Sequence, residues 1–145
     1  MKRFVALFAV MLAMAGCASV PMTSLKDDTQ AKTFTVNKEK SNIYLYRNET
    51  FGGAITMTVT LDGKVAGKTG PLTYFLFEVD PGLHKISGNA SNTAYLDLRT
   101  EAGKAYFVWQ EVKMGLLYAR NKLIEVDSKT GREGVAECKR AKSSF

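Results

Sequence analysis

Thr56-Met-Thr-Val-Thr-Leu61-Asp-Gly-Lys64 is the stretch that decides the fold class. Apolar Met57, Val59 and Leu61 alternate with Thr56, Thr58 and Thr60, so one face is buried and the other polar, the period of a β-strand. Asp62-Gly63 then supplies two residues that tolerate positive φ, the strongest short hairpin signal, and Lys64–Gly67 begins the return strand. The same period continues on both sides. Asn42–Arg47 (NIYLYR) sets Ile43 and Leu45 against Tyr44 and Tyr46; both faces are apolar, which predicts a central strand. Thr73–Val79 (TYFLFEV) puts Phe75, Phe77 and Val79 on one face. Asp80-Pro-Gly82 follows as a turn, and Leu83–Ser87 is expected to pair back.

Thr93–Arg99 turns Ala94, Leu96 and Leu98 inward, Glu101–Lys104 is a turn, Ala105–Val112 is apolar on both faces, and Lys122–Val126 closes the set. Strands at roughly ten-residue spacing with Gly and Pro turns predict a mainly β protein, an antiparallel β-sandwich or a small barrel. Two short helices are expected. Ser24–Lys32 has Ser24 as N-cap and Asp27 and Asp28, a helix-start or solvated pair, near the positive helix end. Asp127–Lys139 turns Val135 and Cys138 inward, although Gly131 and Gly134 are poor helix formers. Ala141–Phe145 is expected to be loose.

The start of the chain has a different character. Lys2 and Arg3 precede an uncharged apolar run, Phe4–Met14, too short to span a bilayer and right for a signal-peptide core. Ala15 and Gly16 are small, and Cys17 follows. This arrangement resembles the lipobox of bacterial lipoproteins, with Met14 where leucine is usual. The resemblance implies a diacylglyceryl group on the Cys17 sulfur, cleavage before Cys17 and acylation of the new amine. It implies a membrane anchor rather than a span; each buried CH₂ of such a chain adds ~0.8 kcal/mol. The residue after Cys17 is Ala18, not Asp, which by resemblance to lipoprotein sorting in Gram-negative bacteria implies delivery to the outer membrane, facing the periplasm; in a cell with one membrane the protein would sit on its outer face.

The expected organisation is a signal peptide over 1–16, an anchored tether with a short helix over 17–40, and a single β-sandwich domain over 41–145. Extended, the stretch from Ala18 to Lys40 reaches at most about 75 Å at ~3.3 Å per residue. Losing the first 16 of 145 residues leaves 129, enough for one core. Removal of Lys2 and Arg3 lowers the net charge from +6 to +4. Outside the cell interior that excess is not a sign of nucleic-acid binding; it reads as solubility, with attraction to anionic lipid or cell-wall polymers as the alternative.

Chemistry-bearing residues are sparse. His84 is the single histidine. Paired with Asp80 or a serine it is an acid/base candidate, but Asp80-Pro-Gly-x-His84 is also what a tight turn entering a strand looks like. No metal-ligand spacing, cofactor fingerprint or phosphate loop is present, so no metal, cofactor or catalytic residue is assigned. Gly52-Gly53 reads as a relaxed loop. With Cys17 lipidated, Cys138 is an odd cysteine, either buried and silent or paired between chains; Lys139 and Arg140 beside it would favour its thiolate. The aromatics carry more information. Tyr44, Tyr46, Tyr74, Tyr95, Tyr106 and Trp109 form either a second buried layer beneath helices or an aromatic surface for a partner, peptide or glycan. In the second reading Tyr44, Tyr46, Arg47, Tyr74 and Trp109 make the contact. Lys113-Met-Gly-Leu-Leu-Tyr118 is a contact loop or a loop tucked over the sandwich end.

Five spaced pieces carry a wider resemblance: Ala31-Lys-Thr-Phe34, Asn42–Arg47, Leu61-Asp-Gly63, Pro81-Gly-Leu-His84 and Gly103-Lys-Ala-Tyr106. Together they resemble a family of small bacterial lipoproteins with a domain of unknown function. The section from the Asp-Gly hairpin to His84 is also similar to PEGA-type β domains. The resemblance implies a lipid-anchored β-sandwich and brings no reaction or catalytic residues. The expected role is an interaction or structural module at the cell envelope, contacting another protein or the cell wall; the alternative is a small-ligand or glycan-binding module, and an enzyme is not expected.

Overall fold

The structure, a computed structural model, describes residues 19–50 and 55–145. In chain order these residues form α1 (Leu25–Ala31), β1 (Ser41–Arg47), β2 (Met57–Leu61), β3 (Lys64–Thr69), β4 (Thr73–Val79), β5 (Gly82–Asn89), β6 (Thr93–Thr100), β7 (Ala105–Met114), β8 (Ala119–Val126), α2 (Ser128–Ala136) and β9 (Lys139–Arg140). The strands make two open sheets, β8-β7-β1-β4-β9 and β3-β2-β5-β6, so the fold is a sandwich and not a closed barrel. The β2–β3 hairpin turns at Asp62 (φ 51°) and Gly63 (φ 80°), the two positive-φ positions that Asp-Gly satisfies.

The molecule has three layers. Ile43, Leu45, Phe75, Phe77, Val108 and Leu123 of the larger sheet meet Val59, Leu61, Ile86 and Leu98 of the smaller. On the far side of the larger sheet, Tyr44, Tyr46, Tyr74 and Phe107 are covered by Ala31 of α1, Val135 of α2 and Cys138. This is why β1 reads as apolar on both faces: it is the middle strand of a sheet buried on both sides. Gly131 and Gly134 let α2 lie flat on that sheet. A Cβ at Gly131 would fall 2.2 Å from Phe107, and one at Gly134 would fall 2.2 Å from Tyr46. The same glycines that weaken the helix in the sequence permit its packing.

Several expectations change. The larger sheet is mixed, because β1 pairs in parallel with β7 and β4 with β9. Asp80-Pro-Gly82 does not turn a hairpin: β4 pairs with β1, whereas β5 pairs with β2 and β6 in the other sheet. β4 carries Phe75 and Phe77 on one face and Tyr74 on the other, so it needs a place covered on both sides, while Leu83 and Lys85 of β5 face solvent. Ala141–Phe145 is tied down. The Ala141 N–H donates to the Tyr74 carbonyl, Lys142 N–H to Pro21 and Ser144 N–H to Ala66, each at 2.8 Å, and the Phe145 ring stacks 5.8 Å from Phe77. The segment expected to be a tether also packs on the domain from Ser19 onward. Val20 joins the inter-sheet core, Met22 bridges to Ala141, and Thr23 N–H donates to the Arg140 carbonyl. Signal residues 1–16, Cys17 and Gly52-Gly53 lie outside the described residues.

Strand directions give the sandwich two ends. At one end β1 finishes at Arg47 and β4 starts at Thr73, its partner. The connections 70–72, 90–92 and 115–118 lie there too. At the other end are Asp62-Gly63, Asp80-Pro81 and Glu101–Lys104.

Candidate functional site

The β7–β8 hairpin gives the Arg47 end its character. β7 runs through Met114 and β8 begins at Ala119, three residues earlier than the sequence suggests. The hairpin closes where Gly115 N–H donates to the Tyr118 carbonyl at 2.8 Å. Its tip is bare: relative exposure is 55% at Met114, 103% at Leu116, 78% at Leu117 and 69% at Tyr118. The loop is therefore not tucked over the sandwich. A shallow groove of about 430 Å³ runs between this tip, Ser91 and Arg120.

The base of the hairpin is rigid. Met57, Val112 and Ala119 form a small buried cluster, with Ile55 and Ala90 against it. A polar chain then crosses between the sheets. The Thr69 hydroxyl donates to Gln110 Oε1 (2.6 Å), Gln110 Nε2 to Asn121 Oδ1 (3.2 Å), and Asn121 Nδ2 to the Gly88 carbonyl (3.0 Å). Asn92 receives the Asn121 N–H at 2.8 Å, and its own amide donates to the Asn121 carbonyl at 2.9 Å. Buried polar groups so connected fix one register, since breaking a link leaves an unpaired group in the core. Glu49 adds a support: its carboxylate accepts the Val112 N–H at 3.3 Å. Burial pushes the Glu49 carboxyl up, opposed by that N–H, Arg47 and the Trp109 indole. Gln110, Asn121 and Glu49 escape a sequence reading; the signal was Gln110, an amide inside the apolar run of β7.

The residues proposed for contact do not form one surface. Tyr44, Tyr46 and Tyr74 are 0%, 3% and 0% exposed, beneath the helices, and Arg47 is fully buried with one guanidinium N–H donated to the Ile55 carbonyl at 2.7 Å. The large apolar rings fill the space between sheet and helices, so they are core and the contact assignment is corrected. Tyr44 stacks on Phe107 at 5.2 Å. Trp109 alone of the five stays half-buried, in a groove of about 230 Å³ with Asn48, Thr130, Glu133 and Glu137.

Beneath α1 lies a network that the sequence hid. Asp28 is 8% exposed rather than solvated. Its carboxylate accepts from the Tyr74 hydroxyl (2.8 Å), the Lys32 ammonium (3.0 Å) and Arg140 N–H (2.9 Å). Burial raises the pKa of this carboxyl, yet the three donors outweigh it and hold it below the usual range. Cys138 is 1% exposed, and burial, with Glu137 close by, pushes its thiol up to about 12. It is a silent core residue, and the neighbouring Lys139 and Arg140 do not activate it.

At the opposite end His84 is fully engaged. Nδ1 donates to the Asp62 carboxylate at 2.6 Å and Nε2 to the Asp80 backbone carbonyl at 2.8 Å. A carbonyl can only accept, so both ring nitrogens carry protons and the imidazolium is favoured. Burial lowers the His84 pKa, but these two bonds raise it further. The Asp80 carboxylate pairs with Lys40 instead. His84 thus locks the β4–β5 crossover to the β2–β3 turn, with no nitrogen left as a base. Among the described residues no group of three His, Cys, Asp or Glu side chains could hold a metal ion.

Residues 37–122 match the family model described as "Protein of unknown function (DUF2846)". The chain belongs to this family. It is also similar to an uncharacterized protein of Haemophilus influenzae, 31% identical over 139 residues, which cover 94% of this chain and 83% of that protein. The part matched to the DUF2846 model runs from just before β1 into β8, and so contains both ends of the sandwich and the bare β7–β8 tip. α1 and α2, which cover the tyrosine face, and the edge strand β9 lie outside it. The longer likeness to the Haemophilus protein extends to the helices as well.

Proposed function

We propose that this DUF2846 protein is a lipoprotein of the bacterial envelope, held through lipid on Cys17 and acting as a non-catalytic interaction or structural module. In a Gram-negative cell its place is the outer membrane, facing the periplasm. The observation that carries the reading is the Lys2-Arg3, Phe4–Met14, Ala15-Gly16-Cys17 arrangement, and the fold adds how soon after Cys17 the chain is packed. Ser19 already lines a groove with Leu72 and Thr73, and Val20 is part of the core. Two residues extend at most ~7 Å, so an anchor at Cys17 would hold the whole domain at the membrane surface instead of at the end of a tether. No described helix is long and apolar enough to cross a membrane.

The alternative, a small-ligand or glycan module, now depends on Trp109. Its groove of about 230 Å³ is smaller than the ~300–1,000 Å³ of ordinary ligand pockets, and its companion tyrosines are covered. An interaction role fits the surface better.

The test is expression of the full chain in Gram-negative cells fed labelled palmitate. The wild-type protein should take up label and be shortened; Cys17→Ser should stay an unlabelled precursor. Normal shortening and membrane association of Cys17→Ser would overturn the reading.

A further inference from the structure

We propose that the tip of the β7–β8 hairpin is a second membrane contact: Leu116 and Leu117 enter the boundary between headgroups and acyl chains, while Lys113 and Arg120 sit among anionic headgroups. The inference rests on the lipid-anchor reading of Cys17 and adds a posture to it.

Four observations converge. First, Met114, Leu116, Leu117 and Tyr118, all exposed, fall within five residues, the densest run of exposed large apolar side chains among the described residues; a smaller group, Met22, Leu25 and Leu72, shares grooves elsewhere. Single exposed hydrophobes are ordinary, but a contiguous set on a rigid projection marks an interaction surface. Second, the tip is at the end where the chain enters. Ser19 lies against Pro71, Leu72 and Thr73, and Thr73 pairs with Arg47 at the end of β1. Leu72 adds to the apolar character of that end. It is 38% exposed at φ 52°, a conformation a leucine rarely takes, and it is pinned by the Lys139 N–H on its carbonyl.

Third, the charges suit a lipid surface. Lys113 and Arg120 are direct cross-strand partners just below the tip, and although Lys113 also pairs with Glu111 at 3.4 Å, the two cations together leave a net positive charge there that an anionic layer would meet. Tyr118 between them has the amphipathic ring found at membrane interfaces. The opposite end has the reverse chemistry: Lys40–Asp80, His84–Asp62 and Lys104–Glu101 pairs, suited to water.

Fourth, the heights agree. Tyr46 of β1 is level with Trp109, so Arg47 is level with Gln110, and β7 runs four residues further to Met114. Four residues rise about 13 Å. Cys17, two residues before Ser19, reaches at most about 7 Å from it. With the domain upright and Ser19 level with the end of β1, Met114 stands at least about 6 Å beyond any point Cys17 can reach, enough for the tip to enter the ~5–10 Å depth of interfacial apolar groups.

The experiment uses the lipidated protein in phosphatidylethanolamine–phosphatidylglycerol vesicles. An environment-sensitive dye is placed through Leu117→Cys, or through Leu83→Cys at the far end. Both positions are exposed and Cys138 is buried, so neither change threatens the fold or labels elsewhere. Spin-labelled lipid should quench the dye at position 117 and shift its emission to the blue, and leave the dye at 83 unaffected. Adding Leu116→Asp should reduce the quenching at 117 without changing palmitate on Cys17. Equal, solvent-like emission at both positions, with Cys17 labelled by palmitate, would overturn the membrane contact and leave the anchor standing. Absence of palmitate would overturn both. A photo-crosslinker at position 117 that captures one discrete envelope protein in cells would also overturn it, by giving the tip a protein partner.

Discussion

Gly131→Ala sets two effects of opposite sign against each other. In a free helix the change is favourable by ~1 kcal/mol, because alanine is the best helix former and glycine among the worst. In α2 the new Cβ would lie 2.2 Å from both Cβ and Cγ of Phe107 and 2.6 Å from Cδ1. Ordinary contact begins near 3.4 Å, so the surfaces must part by about 1.2 Å. Phe107 cannot retreat. Its Cβ is fixed to β7, its ring is stacked on Tyr44 at 5.2 Å, and Phe34 meets its edge at 5.8 Å. The helix must lift, which loosens Val135, fully buried and worth ~1.5–3 kcal/mol in its site. Overpacking of this kind costs ~1–3 kcal/mol and exceeds the propensity gain. A net loss of about 1 kcal/mol is expected, a drop of roughly 0.5 M in the urea midpoint at a slope near ~2 kcal/mol/M. Trp109, the single tryptophan, reports the transition by fluorescence. Combining Gly131→Ala with Phe107→Leu should recover part of the loss that the two changes sum to when made separately. A midpoint for Gly131→Ala equal to or above the wild-type value would refute the close-packing argument.

Two pH-dependent predictions follow from the ion networks. His84 has a raised pKa in the folded state, so its contribution is full below the unfolded value near ~6.5 and is lost as pH rises through the folded value. The stability difference between wild type and His84→Gln, from urea midpoints at about pH 5.5 and about pH 8.5, should be larger at the lower pH; a difference independent of pH would exclude an imidazolium. Asp28 behaves in the opposite sense. Its carboxyl is held below the usual range, so its contribution is present above ~3.9 and vanishes as pH falls through the folded value. Asp28→Asn should cost ~2 kcal/mol near neutrality, from weakened bonds to Lys32 and Tyr74, and progressively less in acid. An unchanged melting temperature at neutral pH would show that α1 is held by apolar packing alone.

Period-2 alternation made β2, the Asp62-Gly63 turn and the core residues of β4 and β6 legible, because burial of one face leaves its mark on every second residue. It also showed that β1 is covered on both sides. Pairing was less legible. Nothing local distinguishes a hairpin from a crossover at Asp80-Pro-Gly82: both need a tight turn, and the choice is made by how many faces of β4 must be covered. Proline and small polar residues likewise conceal packing in Ser19–Thr23. Pro21 prevents helix and sheet interior, but its carbonyl still receives the Lys142 N–H. Asp28 and Gln110 were invisible as network members, since a carboxylate or amide reads as solvated until its donors, 46 and 41 residues away for Tyr74 and Thr69, are brought beside it.

The tyrosines show how the two readings of an apolar strand face separate. Tyr44, Tyr46 and Tyr74 have the composition of a binding surface, yet each sits where a helix must land, and the hydroxyls of Tyr44 and Tyr74 bond to α1, at the Ala31 carbonyl and the Asp28 carboxylate. A ring with its polar handle already satisfied inside the fold has nothing left to offer a ligand. The Met114–Tyr118 tip is the converse case. Its side chains touch little of their own protein, while Gln110, Asn121 and Asn92 below hold its backbone in place. Rigid support under unsatisfied apolar groups is a poor arrangement for stability and a good one for contact, because the ordering cost is met by folding before any surface is met. The tip, at the end of the sandwich where Ser19 enters, is therefore the place where the fold leaves work for a second surface, and on the proposed posture the Asp80 end, with its Lys40, His84 and Lys104 pairs, would face water.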